Sequence, residues 1–548
     1  MRVDLLLKNG KIVDGTGNPW YYGDVAISDG KITAIGKLDE IEAKETIDVQ
    51  GLVVSPGFID IHTHADFILP LKNHMEILAP FAEQGITTVC TGNCGLSCAP
   101  VAAEHLKELD DYTTFFQGGS LQYNWSTLGE FLNVLEDQGV GLNMIPLASH
   151  GAIRIAVMGM ASGQPTEEQM EQMKVLCARD MKDGAFGLSA GLIYAPGMFA
   201  DTNELIEITK PLISYQGVFT CHIRGSSETN RQAVEEIIEV GRVNGIPIQH
   251  SHTESFGKNN WSLVDDVIAL HEKAREEGID VGWDVIPYVT ANTTLGACFP
   301  SECFGGGMEA FVARLRNPVQ RAKIKDQVEN MVSEWPTWLP GRWCHNLLRN
   351  TGYENVMIIW LESDVNQKLI GKTLMEIAQE QGKDPFDVLA DVMVEENGAC
   401  LALYIGVSGD FEDDTYLKKL LAHEQSAICT DAILTGAGLP NCSAYGSFPR
   451  VLGHYVREEK LTSLEQMIRK MTSISAQRFG IEDRGLIKPG MWADITVFDA
   501  DTICDNSEVQ KPDQRPTGIQ YVFVNGAMMV KDGICDPSFR GGQVLRKQ

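Results

Sequence analysis

The chain has 548 residues, of which 44% are hydrophobic and 22% charged, and carries a formal net charge of −29. That length exceeds one ordinary domain of about 100–200 residues, while the composition is that of a globular protein with a filled core. The negative charge repels phosphate backbones and anionic lipid surfaces, which excludes nucleic acid as a natural partner. No run approaches the about 18 apolar residues that a membrane span needs, so no membrane residence is expected.

At the N-terminus the apolar run stops at Leu7 with no small-residue cleavage site behind it, and so reads as a strand rather than a signal peptide. Thirteen scattered cysteines, an odd number, point to a cytoplasmic chain with free thiols instead of a disulfide framework. Residues 1–55 fall into short alternating runs broken by the turn pairs Asn9-Gly10 and Asp29-Gly30. Residues 485–548 have the same texture, and the two ends are expected to form one β-sandwich domain.

Residues 56–484 alternate β-rich runs with helical patterns, the signature of parallel βα units. The candidate strands are 57–62, 87–92, 142–148, 185–189, 218–222, 246–250, 281–286 and 427–431. Eight such strands predict an α/β architecture, a TIM-like (β/α)₈ barrel. Residues 292–354, with Pro, Gly and Trp clusters around a charged helix, break the rhythm and read as an inserted small subdomain.

Active sites of such barrels lie at the C-terminal ends of the strands, and polar residues gather there. The first run ends in His62-Thr-His64, two imidazoles that point to the same face of a strand. Alone, the pair is a weak signal that fits core or solvated histidines more often than a metal. The second ends in Gly92-Asn-Cys94-Gly, the fifth in Cys221-His222-Ile-Arg224 and the sixth in His250-Ser-His252. One thiolate and several imidazoles at matching strand ends suit Zn²⁺. Asp431, ending the eighth run, adds a carboxylate able to take a proton from an attacking water, whose pKa a metal lowers to about 7.

Together with Pro56-Gly-Phe-Ile-Asp-Ile-His-Thr-His-Ala-Asp, Gly187-Leu-Ser-Ala-Gly-Leu-Ile-Tyr194-Ala-Pro-Gly, Phe448-Pro-Arg-Val-Leu-Gly, Ile468-Arg-Lys-Met-Thr and Asp483-Arg-Gly-Leu-Ile-Lys-Pro-Gly, these residues resemble the amidohydrolase superfamily. Within it the resemblance is to the N-acyl-D-amino-acid deacylases (D-aminoacylases), over practically the whole chain. It implies a tight zinc on Cys94, His222 and His252, a second and weaker metal position at His62 and His64, and Asp431 as catalytic base. Tyr194 and Tyr288 match family tyrosines that line the substrate pocket, and Arg224 joins them as a candidate substrate contact.

Two departures bear on the substrate. Where the family typically carries Lys two residues after the strand-six His this chain has Glu254, and where it carries Arg in a His-Pro-Arg stretch this chain has Ser443 in Asn441-Cys-Ser443. Lys and Arg are the natural partners of a substrate carboxylate. The chemistry is therefore expected to be kept and the substrate changed. Three readings stand: cleavage of an N-acylated amino compound, hydrolysis of a cyclic amide or other amide without a free carboxylate, and a non-catalytic scaffold. The partner expected is a small-molecule amide, and a homo-oligomer is compatible with the sequence.

Overall fold

The computed structural model describes residues 2–117 and 121–547. Eight parallel strands form the barrel: Phe58–Asp60, Ile86–Thr91, Asn143–Pro146 continued by Ala148–Ser149, Gly187–Gly191, Val218–His222, Ile248–His250, Val281–Val285 and Ser426–Ile428. Each overlaps its predicted run, with ends displaced by up to three residues. The third strand pairs with the second through its first half and with the fourth through its second half. Past the last paired residues, the Thr430 N–H and hydroxyl donate to the Asp60 carboxylate at 3.1 and 2.6 Å, and the Asp431 N–H donates to the His62 carbonyl at 3.0 Å. These bonds close the eighth strand onto the first.

Strands such as Ile86–Thr91 and Val218–His222 are buried at every position, as a parallel sheet covered by helices requires. The outer helices read plainly from the sequence. Leu128–Gln138 starts at a capping box between Thr127 and Glu130 and turns Leu128, Phe131, Leu132 and Leu135 inward, the spacing of one helical face. Among the described residues no helix is long and apolar enough to cross a membrane.

Both chain ends build one nine-stranded sheet, in which Ile495–Phe498 pairs antiparallel with Val53–Pro56. The sheet encloses Leu5, Leu7, Val25, Ile27, Val54, Ile495, Val497 and Phe523, the core of the expected β-sandwich. The last residues leave it: Leu545 N–H reaches the Met144 carbonyl and Lys547 N–H the Gly184 carbonyl, so the C-terminal tail is tied to the barrel. The connection between strands seven and eight is longer than the expected 292–354. It contains an antiparallel sheet of Thr290–Thr294, Cys400–Ile405 and Val356–Leu361, whose outer strands both pair with Cys400–Ile405. The pairing is long-range, which is why the local break in rhythm marked only its first half.

The helix Leu263–Glu276 buries His271 against Trp283, with ring centroids 4.8 Å apart, and His271 Nε2 sits 3.3 Å from His250 Nδ1. Burial pushes the His271 pKa down to about 3. The unfolded chain thus binds a proton below about 6.5 that the folded chain refuses until about pH 3, so stability falls as pH drops through this window. Urea denaturation with zinc held constant should show this group costing about 2 kcal/mol by pH 5, and His271→Phe should flatten that part of the pH dependence. An equal acid sensitivity in the variant would show that His271 is not the group responsible.

Candidate metal centre and active site

Strand ends bring the predicted ligands together. His62 and His64 follow the first strand, Cys94 the second, His252 the sixth and Asp431 the eighth, while His222 ends the fifth. Two groups of potential ligands result, His62–His64–Cys94–Asp431 and Cys94–His222–His252, each with its donor atoms within 4.8 Å of one another. Cys94 is common to both. Its Sγ lies 3.2 Å from His62 Nε2, 3.8 Å from His222 Nδ1 and 3.7 Å from His252 Nε2. Asp431 Oδ1 lies 3.3 Å from both His62 Nε2 and His64 Nε2.

The backbone is held in costly conformations to achieve this. Cys94, His252 and Asp431 all have positive φ, at 55°, 34° and 47°, a strain of about 1–3 kcal/mol each that clusters at functional sites. The Cys94 turn is pressed against neighbouring strands, since a Cβ at Gly92 would meet the Leu147 carbonyl at 2.5 Å and one at Gly95 the Gly191 nitrogen at 2.8 Å. Glycines are required there.

Every member of the cluster is buried. Burial alone would raise the Cys94 thiol, but the His62 charge and hydrogen bonds from His222, His252 and His62 pull it well below its ordinary range. Burial likewise opposes protonation of His64, yet Asp431 and Cys94 raise it to about 9. Thiolate, imidazole and carboxylate converging on one buried volume are the ligand types of zinc, so the residues present fit that ion.

Asp284, inside the seventh strand, was missed by sequence reasoning. Its Oδ1 accepts the His252 N–H at 2.7 Å and lies 3.3 Å from His62 Nδ1, while Gln249 donates to Oδ2 at 2.7 Å. Burial opposes it, but these neighbours hold its carboxyl below the ordinary range. It backs two of the histidines, and its inward place on a strand was the available signal.

Above the cluster lies a pocket of about 20 Å³ lined by Tyr194, His222, His252, Glu254, Asn292, Thr293, His345 and Asp431, among others. Tyr194 meets Thr293 Oγ1 at 2.8 Å and packs edge-on to His222. Glu254 leans on His252 Nδ1 at 3.6 Å. A larger, mainly apolar cavity of about 260 Å³ adjoins through Ile193 and Tyr194 and is walled by Tyr112, Phe115, Met160 and Met308.

Three expected substrate contacts do not line the pocket. Arg224 spends its donors on Glu236, at 3.1 and 3.2 Å, and on the Met198 and Ala200 carbonyls, and its guanidinium lies over Trp338 of the insert. Tyr288 donates to Asp505 at 2.7 Å with Arg450 over its ring. Ser443 is buried at the start of the helix Ser443–Arg450, its hydroxyl without a hydrogen-bond partner among the described residues. His345, in contrast, enters from the insert, which carries no local motif to announce it.

A closed barrel with a bipartite His, Cys and Asp cluster at its strand ends defines a metal-dependent hydrolase scaffold of the amidohydrolase type. The amidohydrolase family model matches residues 430–530. The D-aminoacylase of Alcaligenes xylosoxydans xylosoxydans is 32% identical over 96% of this chain and 94% of its own. The N-acyl-D-glutamate deacylase of Bordetella bronchiseptica, solved with zinc and a phosphonate mimic of the tetrahedral intermediate, superposes with a TM-score of 0.81 at 29% identity, covering 100% of both chains. A D-aminoacylase structure described as having a binuclear metal centre, with one-metal activation and second-metal attenuation, gives the same TM-score at 30% identity over 99% of this chain and 100% of its own. The chain belongs to the D-aminoacylase family of the amidohydrolase superfamily.

Arg224→Met would strand the buried Glu236 carboxylate and should cost about 3–5 kcal/mol in urea denaturation. Unchanged stability with only a raised KM would return Arg224 to the substrate.

Proposed function

We propose that this protein is a zinc-dependent hydrolase cleaving the C–N bond of an amide that carries no free carboxylate. Family membership supports the hydrolysis, and the donor set supports the metal. One observation carries the substrate assignment: among the described residues the small pocket over the cluster is lined by the Glu254 and Asp431 carboxylates and by no Lys or Arg, and the one cation lining the adjoining cavity, Lys107, is paired with Asp111. A substrate carboxylate would meet a like charge in a partly desolvated space, an unfavourable encounter. Relatives named for acylated D-amino acids share the machinery, while this wall has the opposite sign to the Lys and Arg pair expected of them. Both linear amides and the opening of a cyclic amide satisfy it.

In this reading Cys94, His222 and His252 hold the tight zinc, and His62 and His64 share Cys94 in a second, weaker position. When bound, zinc lowers the pKa of a water and polarises the scissile carbonyl. Asp431 takes the proton of the attacking water and delivers it to the leaving nitrogen. Asp284 holds the His62 ring and the His252 backbone in place, and the Tyr194 hydroxyl can turn from Thr293 to the substrate oxygen. The cavity behind Ile193 and Tyr194 receives the apolar part of the substrate. The thirteen free thiols, twelve of them buried, support a cytoplasmic location. Convergence of all six ligand and base residues opposes a purely scaffolding role.

Asp431→Asn should lower kcat by about 10²–10⁴-fold with zinc content unchanged, measured by mass-spectrometric turnover and metal analysis, whereas Cys94→Ala should lose zinc. Glu254→Lys should shift kcat/KM toward N-acyl amino acids over their carboxamides by about tenfold or more. Efficient cleavage of free acids by the unaltered enzyme would overturn the substrate assignment.

A further inference from the structure

His345 has no part in the catalytic assignment, yet its placement is heavily determined. Cys344 on one side is pinned by a 2.7 Å bond from the Thr229 hydroxyl to its carbonyl, and by its N–H to Thr337 at 3.3 Å. Asn346 on the other side donates to the Val328 and Met331 carbonyls, both at 2.9 Å, and caps the next helix. The ring packs edge-on to Phe256, with centroids 5.5 Å apart.

Hydrogen bonding decides its tautomer. The Ser226 N–H donates to His345 Nδ1 at 3.2 Å, so Nδ1 bears a lone pair and the ring is neutral, with its proton on Nε2. Nε2 has no hydrogen-bond partner among the described residues, and the ring lines the pocket over the metal cluster. The same Ser226 meets the carboxylate beside it: its hydroxyl donates to Glu254 Oε1 at 3.5 Å, and that oxygen also leans on His252. Oε2 makes no hydrogen bond among the described residues. One serine therefore bonds both the neutral imidazole and the carboxylate, and both residues line the same pocket.

We propose that His345 and Glu254 bind a second, uncharged amide group of the substrate, with His345 Nε2–H donating to its oxygen and Glu254 accepting its N–H. The pairing suits an amide whose oxygen and N–H lie on the same side, which a primary carboxamide or a ring amide provides and an extended secondary amide does not. A carboxylate presents two acceptors and satisfies only His345; an ammonium presents donors alone and satisfies only Glu254. This rests on the reading of the pocket as one for substrates without a free carboxylate, and names their chemical class.

The test is calorimetric binding to the zinc-loaded Asp431→Asn protein, inert by design. The probes are an N-acetyl amino acid carboxamide, its free acid, its dimethylamide, which lacks the N–H, and hydantoin as the ring amide. Carboxamide or hydantoin should bind at least about tenfold tighter than acid and dimethylamide, the loss expected for one missing hydrogen bond to a charged group. The tighter of the two tells open-chain from ring substrates. His345→Phe should erase the preference. His345→Gln should keep it, since the Gln oxygen can accept from Ser226 while its NH₂ donates to the ligand. Free acid or dimethylamide binding as tightly as the carboxamide, or His345→Phe weakening all probes alike, would overturn the proposal. Hydrolysis is measured separately on the unaltered enzyme: amide turnover without this binding preference sinks the pairing alone, and the preference without turnover sinks the hydrolase reading alone.

Discussion

Asp60 takes two hydrogen bonds from Thr430, and with that the first and eighth strands are joined. The two residues are 370 positions apart, and the bond between them closes the barrel. Closure sets the site directly, because His62 follows Asp60 by two residues and Asp431 follows Thr430 by one. Burial pushes the Asp60 carboxyl up to about 7 even against these bonds. A carboxylate in such a place is kept because the donors it collects align two chain segments that carry three of the six cluster residues, His62, His64 and Asp431.

The second constraint is electrostatic. The cluster packs a thiol, four imidazoles and a carboxylate into one water-poor volume, where an unpaired charge would be costly. Opposite charges offset part of that cost: Cys94 is lowered by His62, and His64 is raised by Asp431 and Cys94, whereas His222 is pushed down by burial and by His252. The same mutual dependence suits a cation held between them. It also explains the positive φ values at Cys94, His252 and Asp431, since convergence from three strands leaves no unstrained route for all the donors.

The wall of the pocket is built differently from the cluster beneath it. The barrel supplies the cluster, Tyr194 and Glu254, while the insert supplies Asn292, Thr293, Leu347, Tyr404 and His345. Arg224 belongs to the joint between the two, bonded to Glu236 and stacked beneath Trp338. Its burial explains why an arginine two residues past His222 does not line the pocket. The pocket wall can thus vary through the insert and one strand-six loop residue while the His, Cys and Asp cluster stays as it is.

The sequence by itself determined the eight strands, the shared sheet of the two termini and the cluster His62, His64, Cys94, His222, His252 and Asp431. The strands and shared sheet follow from local period and turn residues, the strand-end rule gathers the cluster's candidates, and the family resemblance selects these six from them. Only the tertiary structure decided the extent of the insert, the burial of Arg224, Tyr288 and Ser443 away from the pocket, and the arrival of Asp284 and His345 at it. Those outcomes depend on which distant groups compete for a side chain's hydrogen bonds: Glu236 for Arg224, Asp505 for Tyr288, Ser226 for His345. Such competition is settled by packing across tens to hundreds of residues, and no local pattern encodes it.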